Sequence, residues 1–273
     1  MCHVLYFDLA KAFDTVPHDR LINKIENIGI SGTLLEWIKE YLENRTFSVK
    51  VESSFSSKIK ITSGVPQGSI LGPFLFLIYS SDLPKKCHTE NVTPKLFADD
   101  LKVYTCFDLL IPNYYFPLQN FIQKLTNYCN TNRLGIAANK YHSLHIGTKN
   151  PHYQYSILNN IPKVNPKESI RDLGIYFTFD LKWENHIKHI TNKSTRIYFT
   201  LLKSLKTKNI EFLITLFKIY VIPILEFGSP IFDPYIQKDI DLLEKVQHKF
   251  LKLVYIRAKN NNLTNQFQII RNS

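Results

Sequence analysis

Three aspartates occupy positions where the surrounding sequence is apolar. Asp8 ends the apolar run of residues 4–7, which has the pattern of a buried strand. Asp99 and Asp100 are adjacent within residues 96–103, a segment built mainly from Leu, Phe, Ala and Val. Neighbouring carboxylates repel each other, and burying either charge is costly unless a cation balances it. The sequence therefore predicts a site for Mg²⁺, a hard cation that prefers oxygen ligands.

Carboxylates of this kind could serve phosphoryl transfer. Two bound ions about 3.5–4 Å apart can stabilise both the attacking and the leaving oxygen. A pair of adjacent aspartates alone is equally typical of a solvated turn. The catalytic interpretation is favoured because a second acid-bearing strand precedes the pair and the segment GVPQG (64–68) lies between them.

The elements that would position these acids follow from the spacing of apolar residues. A strand is predicted over residues 4–9, and a strand, tight turn and strand over 95–104 would place Asp99 and Asp100 at a hairpin tip. Helical spacing predicts a buried helix over 69–79. The other elements predicted before residue 180 are helices around 17–28, 31–42 and 118–128, a hairpin over 47–61, and short strands at 144–146 and 170–179. This mixture is typical of an α+β domain.

The last third of the chain differs in composition from the rest. Residues 1–180 carry 19 Lys and Arg against 16 Asp and Glu, whereas residues 181–273 carry 15 against 7. From Trp183 onward the pattern is helical, with helices near 184–205, 209–222 and 237–255. The sequence therefore predicts an α+β domain over residues 1–180, an all-α domain over 181–257 and a frayed tail over 258–273.

The first helix of this region has an apolar face and a basic face. Apolar residues recur at steps of three and four between Ile187 and Leu205, and Glu184 is the only acid within residues 182–208. The opposite face carries Lys188, Lys193, Arg196, Lys203 and Lys206. An ordinary solvated face is the alternative, but such faces usually mix both signs, so the pattern favours contact with nucleic-acid phosphates. The net charge of +11 agrees with a polyanionic partner.

Composition excludes several classes of protein. A hydrophobic content of 44% and a charged content of 21% in 273 residues exclude wholesale disorder. The four cysteines form no CxxC pair and the histidines complete no zinc-ligand spacing, so we expect an intracellular, reducing compartment. Apolar runs such as 74–79 are too short to span a bilayer, and the N-terminus lacks the basic region of a signal peptide. Because the chain opens almost directly on a core strand, we expect the N-terminal part of its domain to lie outside this sequence.

Three segments resemble, in order and spacing, the polymerase motifs of a known enzyme family. They are YFDLAKAFDTVPHDRL (6–21), SGVPQGSILGPFLFLIY (63–79) and FADD (97–100), and the family is the reverse transcriptases, in particular those of non-LTR, LINE-type retrotransposons of the jockey kind. HIGTKNP (145–151), DLGIYFTFDLKWENHI (172–187) and YVIPILEFGSP (220–230) are similar to the family's downstream palm and thumb. The resemblance extends to about residue 257, and the family's fingers and endonuclease have no counterpart in it.

This resemblance implies a polymerase palm, an antiparallel sheet with packed helices, followed by a thumb-like helical domain. It implies an RNA-directed DNA polymerase that extends a DNA primer on an RNA template with deoxynucleoside triphosphates. Asp8, Asp99 and Asp100 would hold two Mg²⁺ ions, or Mn²⁺, with help from the backbone carbonyl of Leu9. Lys140 would protonate the leaving pyrophosphate, although a surface lysine without such a role is the commoner case.

The resemblance also implies residues that bind the nucleotide and the primer. Phe13 matches a bulky steric gate that leaves no room for a ribose 2′-hydroxyl, and core packing is the alternative. Gln67 would touch the nucleotide and Gly68 would let backbone approach it, although the same loop could also serve as a helix-entry turn. Leu173 and Gly174 would belong to the primer grip. The basic residues Lys188, Lys193, Arg196 and Lys203 would grip the RNA–DNA duplex through its backbone.

Three hypotheses of function are open at this point. The first is RNA-templated DNA synthesis, which depends on the three acids and the GVPQGS segment. The second is a catalytically inactive remnant that only binds nucleic acid, because the resemblance includes no fingers that would grip the far phosphates of the triphosphate. The third is a metal-dependent nuclease that uses the same acids, but it leaves Phe13 and the GVPQGS segment unexplained.

Overall fold

The chain divides into two units, Met1–Glu168 and Ser169–Ser273. A computed structural model describes residues 1–137, 140–151, 153–156 and 169–259. The division falls before the strands near 170–179, so these strands are grouped with the helices of the second unit. The sequence pattern predicts these strands in the first domain, over residues 1–180.

The first unit alternates helices with strands of very different lengths. Its elements in chain order are β1 (Cys2–Ala10), α1 (His18–Asn27), α2 (Thr33–Leu42), β2 (Thr46–Phe47), β3 (Lys50–Val51), β4 (Ser54–Phe55), β5 (Ile59–Lys60), α3 (Leu71–Ser80), α4 (Leu83–Lys86), β6 (Thr93–Phe97), β7 (Asp100–Cys106), α5 (Phe116–Thr131), β8 (Gly135–Ile136) and β9 (His142–Ile146). The predicted strands, hairpins and helices are present. The helix α4 and the strand β8 were not predicted, because elements of four and two residues are too short to show a periodicity.

A five-stranded antiparallel sheet lies at the centre of the first unit. Its path is β6-β7-β1-β8, and β9 also pairs with β1. Strand β1 pairs with β7 from Cys2 to Asp8, with β9 from Cys2 to Tyr6, and with β8 at Leu9 and Ala10. One edge of β1 is therefore paired with β7 up to Asp8, and the other edge is paired with β9 up to Tyr6 and with β8 from Leu9.

The hydrophobic core of this unit lies against one face of the sheet. Leu5, Phe7 and Leu9 of β1 are at most 2% exposed and pack in this core with Leu101 of β7. The helices α1, α3 and α5 supply other large residues of the core. Side chains alternate between the two faces of a strand, so Asp8 lies on the face opposite the core.

The predicted hairpin over residues 47–61 is present, but its apolar side chains are exposed. Strand β2 pairs with β5, and β3 pairs with β4. Residues 43–60 are all exposed, and Phe47, Val49, Val51 and Ile59 are between 48% and 66% exposed. Alternating apolar residues usually indicate a half-buried strand. Within the described part of the chain, no element buries either face of this hairpin.

A part-buried ion pair joins α1 to the loop after α3. The ammonium of Lys24 donates to Asp82 Oδ1 at 2.6 Å, to the carbonyl of Tyr79 at 2.6 Å and to the hydroxyl of Tyr128 at 3.0 Å. The Tyr128 hydroxyl also donates to Asp82 Oδ1 at 2.6 Å. Burial by itself raises the pKa of Asp82, but these hydrogen bonds and the charge of Lys24 bring it below the ordinary value of 3.8.

Lys24→Met is expected to lower the free energy of unfolding by about 2 kcal/mol, because it leaves a half-buried carboxylate without its cation. In the parent chain, the stabilisation from Asp82 is fully present above pH 3.8 and is lost as the pH falls through the lowered folded-state pKa. We therefore expect a weaker acid dependence in the variant. Urea unfolding at neutral and acidic pH measures both effects. Lys86→Met, at an exposed position, is the control, and equal losses in the two variants would contradict the prediction.

The second unit opens with a short hairpin and continues as helices. Its elements are β10 (Ser169–Asp172), β11 (Ile175–Thr178), α6 (Glu184–Ser204), α7 (Ile210–Tyr220), α8 (Ile222–Glu226) and α9 (Gln237–Lys259). A second core, which includes Tyr198, Phe217 and Phe250, holds α6, α7 and α9 together. The three predicted helices are therefore confirmed, and α8 is a short additional helix.

The end of α9 corrects the predicted start of the frayed tail. The helix continues through Lys259, and Ala258 is 2% exposed in the second core. Packing of this small apolar residue against the helical core explains why the helix extends past residue 257. The rest of the predicted tail, residues 260–273, lies outside the described residues.

The structure confirms the predicted class. An antiparallel sheet with packed helices is followed along the chain by a helical region. None of the helices in the described ranges is long and apolar enough to cross a membrane.

Candidate active site

Asp8 and Asp100 lie directly opposite each other on neighbouring strands. They are register partners of β1 and β7. The amide of Ala137 donates to the carbonyl of Asp8 at 2.9 Å, on the β8 edge of β1. Because hydrogen bonds alternate between the two edges along a strand, Asp8 and Asp100 form a non-hydrogen-bonded pair, the kind in which side chains approach most closely. Two like charges therefore face each other outside the core, which destabilises the pair unless a cation is present.

The third carboxylate comes from the tight turn between β6 and β7. Phe97 pairs with Asp100, so Ala98 and Asp99 form a two-residue turn. Ala98 has φ of 53°, in the left-handed region that costs a non-glycine residue about 1–2 kcal/mol. The strained turn keeps Asp99 beside the Asp8–Asp100 pair, as the sequence predicted from a hairpin tip.

Lys140 lies at the same end of the sheet. Its ammonium nitrogen is 2.7 Å from Asp8 Oδ2, and its side chain is largely exposed. The hydrogen bond and the charge of Asp8 raise the pKa of Lys140, and the charges of Asp99 and Asp100 raise it further. Lys140 therefore pairs with Asp8 and lies within the electrostatic influence of Asp99 and Asp100.

The chemistry of these side chains suits a hard cation. Carboxylate oxygens are the ligands that Mg²⁺ prefers. In this structure the Lys140 ammonium lies against Asp8, where it balances the carboxylate charge. The three carboxylates do not form a ready-made cage. In the part of the chain that the structure describes, no group of three or more His, Cys, Asp or Glu side chains is arranged to hold a metal ion.

The backbone carbonyl of Leu9 points toward the acidic turn. Successive carbonyls of a strand point to opposite edges, and the carbonyl of Asp8 accepts from β8. The carbonyl of Leu9 therefore points to the β7 edge, just past the last pair of the ladder, Asp8 and Asp100. The whole residue is 1% exposed, so the direction of the Leu9 carbonyl agrees with the predicted role, although the carbonyl is covered in this structure.

The glycine-containing loop crosses closely over the chain that follows β1. The amide of Gly64 donates to the carbonyl oxygen of Val16 at 2.8 Å, and the amide of Val65 donates to the carbonyl oxygen of Phe13 at 2.7 Å. His18 Nε2 donates to the carbonyl of Gly64 at 2.8 Å. These hydrogen bonds join the segment after Asp8 to the segment that carries Gln67.

Gln67 is oriented by a residue that the sequence analysis did not single out. Its side-chain amide donates to Asp14 Oδ1 at 2.7 Å. Gly68 has φ of 77°, and space is open around its Cα. Phe13 is half-buried and packs against the core, and its ring centre lies 4.6 Å from that of Phe76. Asp14 and His18 both belong to the quoted segment 6–21, but their partners lie about fifty residues away, and only spacing within a segment can be read from sequence.

Leu173 and Gly174 lie in the second unit, at the turn of the hairpin β10–β11. Asp172 pairs with Ile175, and the two turn residues have φ of 45° and 94°. Two successive positive φ angles are typical of a type I′ hairpin turn. Leu173 is 53% exposed, so this apolar side chain is presented at the tip and not packed in a core.

The basic face predicted for α6 is exposed in the second unit. Lys188, Lys193, Arg196 and Lys203 are all exposed. The ammonium nitrogen of Lys188 lies 2.8 Å from Glu184 Oε1, and that of Lys238 lies 3.0 Å from the same oxygen. These two cations lower the pKa of Glu184 to about 2. Part of the charge of Lys188 is therefore balanced by its own helix, whereas Lys193, Arg196 and Lys203 make no salt bridge with any residue that the structure describes.

A family comparison matches most of the chain. The family model described as "Reverse transcriptase (RNA-dependent DNA polymerase)" matches residues 1–214. This range includes the whole first unit and the first helix of the second.

Two curated proteins of Drosophila melanogaster are similar in sequence. "Probable RNA-directed DNA polymerase from transposon X-element" is 26% identical over 261 residues, which cover 93% of this chain and 28% of that protein. "RNA-directed DNA polymerase from mobile element jockey" is 39% identical over 107 residues, which cover 37% of this chain and 11% of that protein. The chain spans less than a third of the length of either relative.

A solved structure is similar in its backbone. It is the telomerase of Candida tropicalis in complex with a TWJ fragment of telomeric RNA, with a TM-score of 0.49 and 12% sequence identity. The similarity covers 99% of this chain and 41% of the telomerase chain.

Proposed function

We propose, from the premise that this chain belongs to the reverse transcriptase (RNA-dependent DNA polymerase) family, that it extends a DNA primer on an RNA template. The membership confirms the resemblance found in the sequence, and the relatives named from the X-element and jockey agree with a non-LTR retrotransposon origin. The observation that carries the proposal is the convergence of Asp8, Asp99, Asp100 and Lys140 at one end of the sheet.

The proposed reaction is a nucleotidyl transfer. The primer 3′-hydroxyl oxygen forms a bond to the α-phosphorus of a deoxynucleoside triphosphate, the bond from that phosphorus to pyrophosphate breaks, and the hydroxyl proton passes to solvent water. Asp8, Asp99 and Asp100 would hold Mg²⁺, with the carbonyl of Leu9 at the edge of the site. Bound Mg²⁺ would favour ionisation of the hydroxyl and offset charge on the leaving group.

Lys140 would supply the proton for the pyrophosphate oxygen. Its pKa is raised, so it stays protonated at neutral pH. The same ion pair with Asp8 makes the ammonium a weaker acid while it persists. Lys140 would therefore act as the donor only after it separates from Asp8, which its exposed side chain permits.

The remaining residues would bind and orient the substrates. Gln67, held by Asp14, would contact the nucleotide, and Gly68 leaves open space beside it. In the second unit, Leu173 and Gly174 would contact the primer. The exposed basic residues Lys188, Lys193, Arg196 and Lys203 would bind the backbone of the RNA–DNA duplex.

The test is incorporation of dTMP on a poly(rA)/oligo(dT) substrate by this chain in the presence of Mg²⁺. Stepwise extension of the primer supports the proposal. Salt-sensitive binding of the substrate without extension would favour the alternative, a chain that only binds nucleic acid. Shortening of the primer or template would favour a nuclease.

Phe13→Ala is expected to raise the ratio of ribonucleotide to deoxyribonucleotide incorporation by about 10- to 100-fold, because the ring would no longer exclude a 2′-hydroxyl. Single-nucleotide incorporation with the two triphosphates measures this ratio. Phe116→Ala, which removes an exposed ring elsewhere in the first unit, is the control. A variant that loses stability without any change in the ratio would show that Phe13 serves packing against Phe76 alone.

A further inference from the structure

Two cysteines lie directly opposite each other at the far end of the strand pair that carries the acids. Cys2 of β1 and Cys106 of β7 are register partners, and the ladder runs from this pair to the pair of Asp8 and Asp100. At about 3.4 Å per residue, the two ends of the ladder lie about 20 Å apart. The two thiols are therefore separate from the candidate active site.

The backbone geometry of the cysteine pair suits a disulfide bond. Met1 and Phe107 exchange two hydrogen bonds of 2.9 Å. The adjacent pair, Cys2 and Cys106, is therefore a non-hydrogen-bonded pair, and Asn150 Nδ2 donates to the Cys2 carbonyl from the other edge of β1 at 3.2 Å. The Cα atoms of such a pair typically lie about 4.5 Å apart, and a disulfide spans about 4.4–6.8 Å. Closure therefore requires no separation of the strands.

The two side chains lie on the same face of the sheet and contact each other. Residues directly opposite on neighbouring strands share a face, and the thiol of Cys106 donates to Cys2 Sγ at 3.0 Å. Both cysteines are free thiols in this structure. Rotation of the side chains is enough to bring the sulfurs to bonding distance.

The other two cysteines have a different environment. Cys87 and Cys129 are 0% and 2% exposed, and both pack in the hydrophobic core of the first unit. Buried cysteines behave as small apolar residues and react slowly. Cys106 is exposed and Cys2 is partly exposed. Of the four cysteines, the cross-strand pair is therefore the one that a reagent in solution can reach.

Cys106 is the thiol that reacts first. It lines a cavity of about 1050 Å³ beside the loop that follows β7, which is wide enough for a small peptide. Burial and the neighbouring Cys106 thiol raise the pKa of Cys2 to about 12, so Cys2 carries little thiolate at neutral pH. Because the thiolate is the nucleophile in thiol–disulfide exchange, Cys106 makes the first attack and Cys2 completes the bond.

We propose that Cys2 and Cys106 form a reversible redox site, which a small disulfide of the glutathione type converts to a cross-strand disulfide. The Cys106 thiolate attacks one sulfur of the small disulfide, which releases one thiolate and leaves a mixed disulfide on Cys106. The Cys2 sulfur then attacks the Cys106 sulfur, its proton passes to water, and the second thiolate leaves. The two cysteines lose two electrons, and the small disulfide gains these electrons and two protons as it becomes two thiols.

The disulfide would join the two strands that carry Asp8 and Asp100. It would fix the register of β1 against β7, which places the two acids opposite each other. It would also close a loop across 104 positions of the chain, and a crosslink restricts the unfolded chain most when the loop is long. Exposed disulfides are readily reduced, so the bond should open again in an excess of thiol.

The test equilibrates the folded chain with mixtures of reduced and oxidised glutathione, blocks the remaining thiols by alkylation and analyses the chain by mass spectrometry. In the oxidising mixture we expect two alkylated cysteines instead of four, and a crosslinked peptide that joins Cys2 to Cys106. Dithiothreitol should restore all four thiols. The oxidised chain should melt about 5 °C above the reduced chain.

Three variants separate this site from other thiol chemistry. Cys2→Ser should stop at the mixed disulfide between Cys106 and glutathione, and Cys106→Ser should stay reduced. Neither variant should gain melting temperature in the oxidising mixture. Cys87→Ala is the matched control, because it removes a core thiol and should still close the cross-strand disulfide and gain about 5 °C on oxidation.

The proposal is wrong if the parent chain keeps four thiols in the oxidising mixture, or if Cys106 holds glutathione without closing on Cys2. A disulfide between Cys87 and Cys129, or between two copies of the chain, would also contradict it. So would an equal gain in melting temperature in Cys106→Ser. Every measurement is made without nucleic acid or nucleotide, so the result does not depend on the proposed polymerase function.

Discussion

Asp99→Asn is expected to lower nucleotide incorporation by about 100-fold or more while leaving the chain folded. A loss of this size corresponds to about 3 kcal/mol of transition-state stabilisation, in the range measured when one electrostatic group of an active site is removed. The physical reason is the position of Asp99 in the strained turn beside the Asp8–Asp100 pair. Asp8→Asn should have a similar effect, because it removes the carboxylate that Lys140 and a bound cation would share.

The same substitutions should change the stability of the fold little. Neutralising one acid relieves repulsion within the group, and the ion pair with Lys140 that Asp8→Asn removes is largely exposed and contributes little. We expect an unchanged or slightly higher melting temperature and equal or tighter binding of the template–primer. Activity is measured by single-turnover incorporation, and folding by thermal unfolding.

Asp108→Asn is the matched control for this experiment. Asp108 follows the other end of β7, where its Oδ1 accepts from the amide of Leu110 at 3.2 Å, and asparagine keeps that acceptor. The control should extend primers at the parent rate. Extension by Asp99→Asn at the parent rate would contradict the assignment of the acids and leave the family's fold without the proposed chemistry.

Gly64→Ala is expected to cost about 3 kcal/mol or more of unfolding free energy and to abolish incorporation. Gly64 has φ of 92°, and an added Cβ would lie 2.8 Å from the Asp14 carbonyl oxygen and 2.9 Å from both Asp14 Cα and the Phe13 carbonyl oxygen. All three atoms belong to the backbone, so the clash cannot be relieved by a side-chain rotation. The left-handed conformation adds about 1–2 kcal/mol of strain.

Moving the Gly64 loop to relieve this clash would also move the residues proposed to bind the substrate. The amides of Gly64 and Val65 donate to the segment that carries Phe13 and Asp14, so separating the two segments moves Gln67 away from Asp14. Urea unfolding gives the stability, and primer extension below the unfolding transition gives the activity. Hydrogen exchange at the amides of Gly64 and Val65 reports whether the two segments separate.

Gly29→Ala is the control that separates the strain of a positive φ angle from the clash of the added Cβ with neighbouring backbone. Gly29 has φ of 96°, close to that of Gly64, but no atom lies within 4 Å of an added Cβ. We expect a loss of about 1 kcal/mol in this control, from backbone strain alone. Equal losses in the two variants would show that the close approach at Gly64 contributes nothing.

The family and the residue types of the site could be predicted because they are local properties of the sequence. An acid after an apolar run, a pair of acids in an apolar hairpin and the GVPQGS segment each lie within a few residues of one another. The apolar run before Asp8 predicted a buried strand, and Val4, Leu5 and Phe7 are indeed buried. The structure adds that Asp8 lies on the face opposite the core that holds Leu5, Phe7 and Leu9.

The partners of these residues could not be predicted, because they are distant in the chain. Asp14 orients Gln67 across 53 positions, and His18 binds the carbonyl of Gly64 across 46. The exposure of the hairpin was also not predicted. Its alternation of Phe47, Val49 and Val51 is the pattern of a half-buried strand, and which of its faces another element covers depends on tertiary packing alone.

By itself, the sequence determined the α+β class, the acids, the loop and the family, because charges among apolar residues, hydrophobic periodicity and motif spacing are all local. Only the tertiary structure decided that Asp8 faces Asp100, that Lys140 meets Asp8, and that Cys2 faces Cys106. The physical reason is strand register: a shift of one residue between β1 and β7 would move Asp100 to the core face, and register is set by the burial of whole strands against the core.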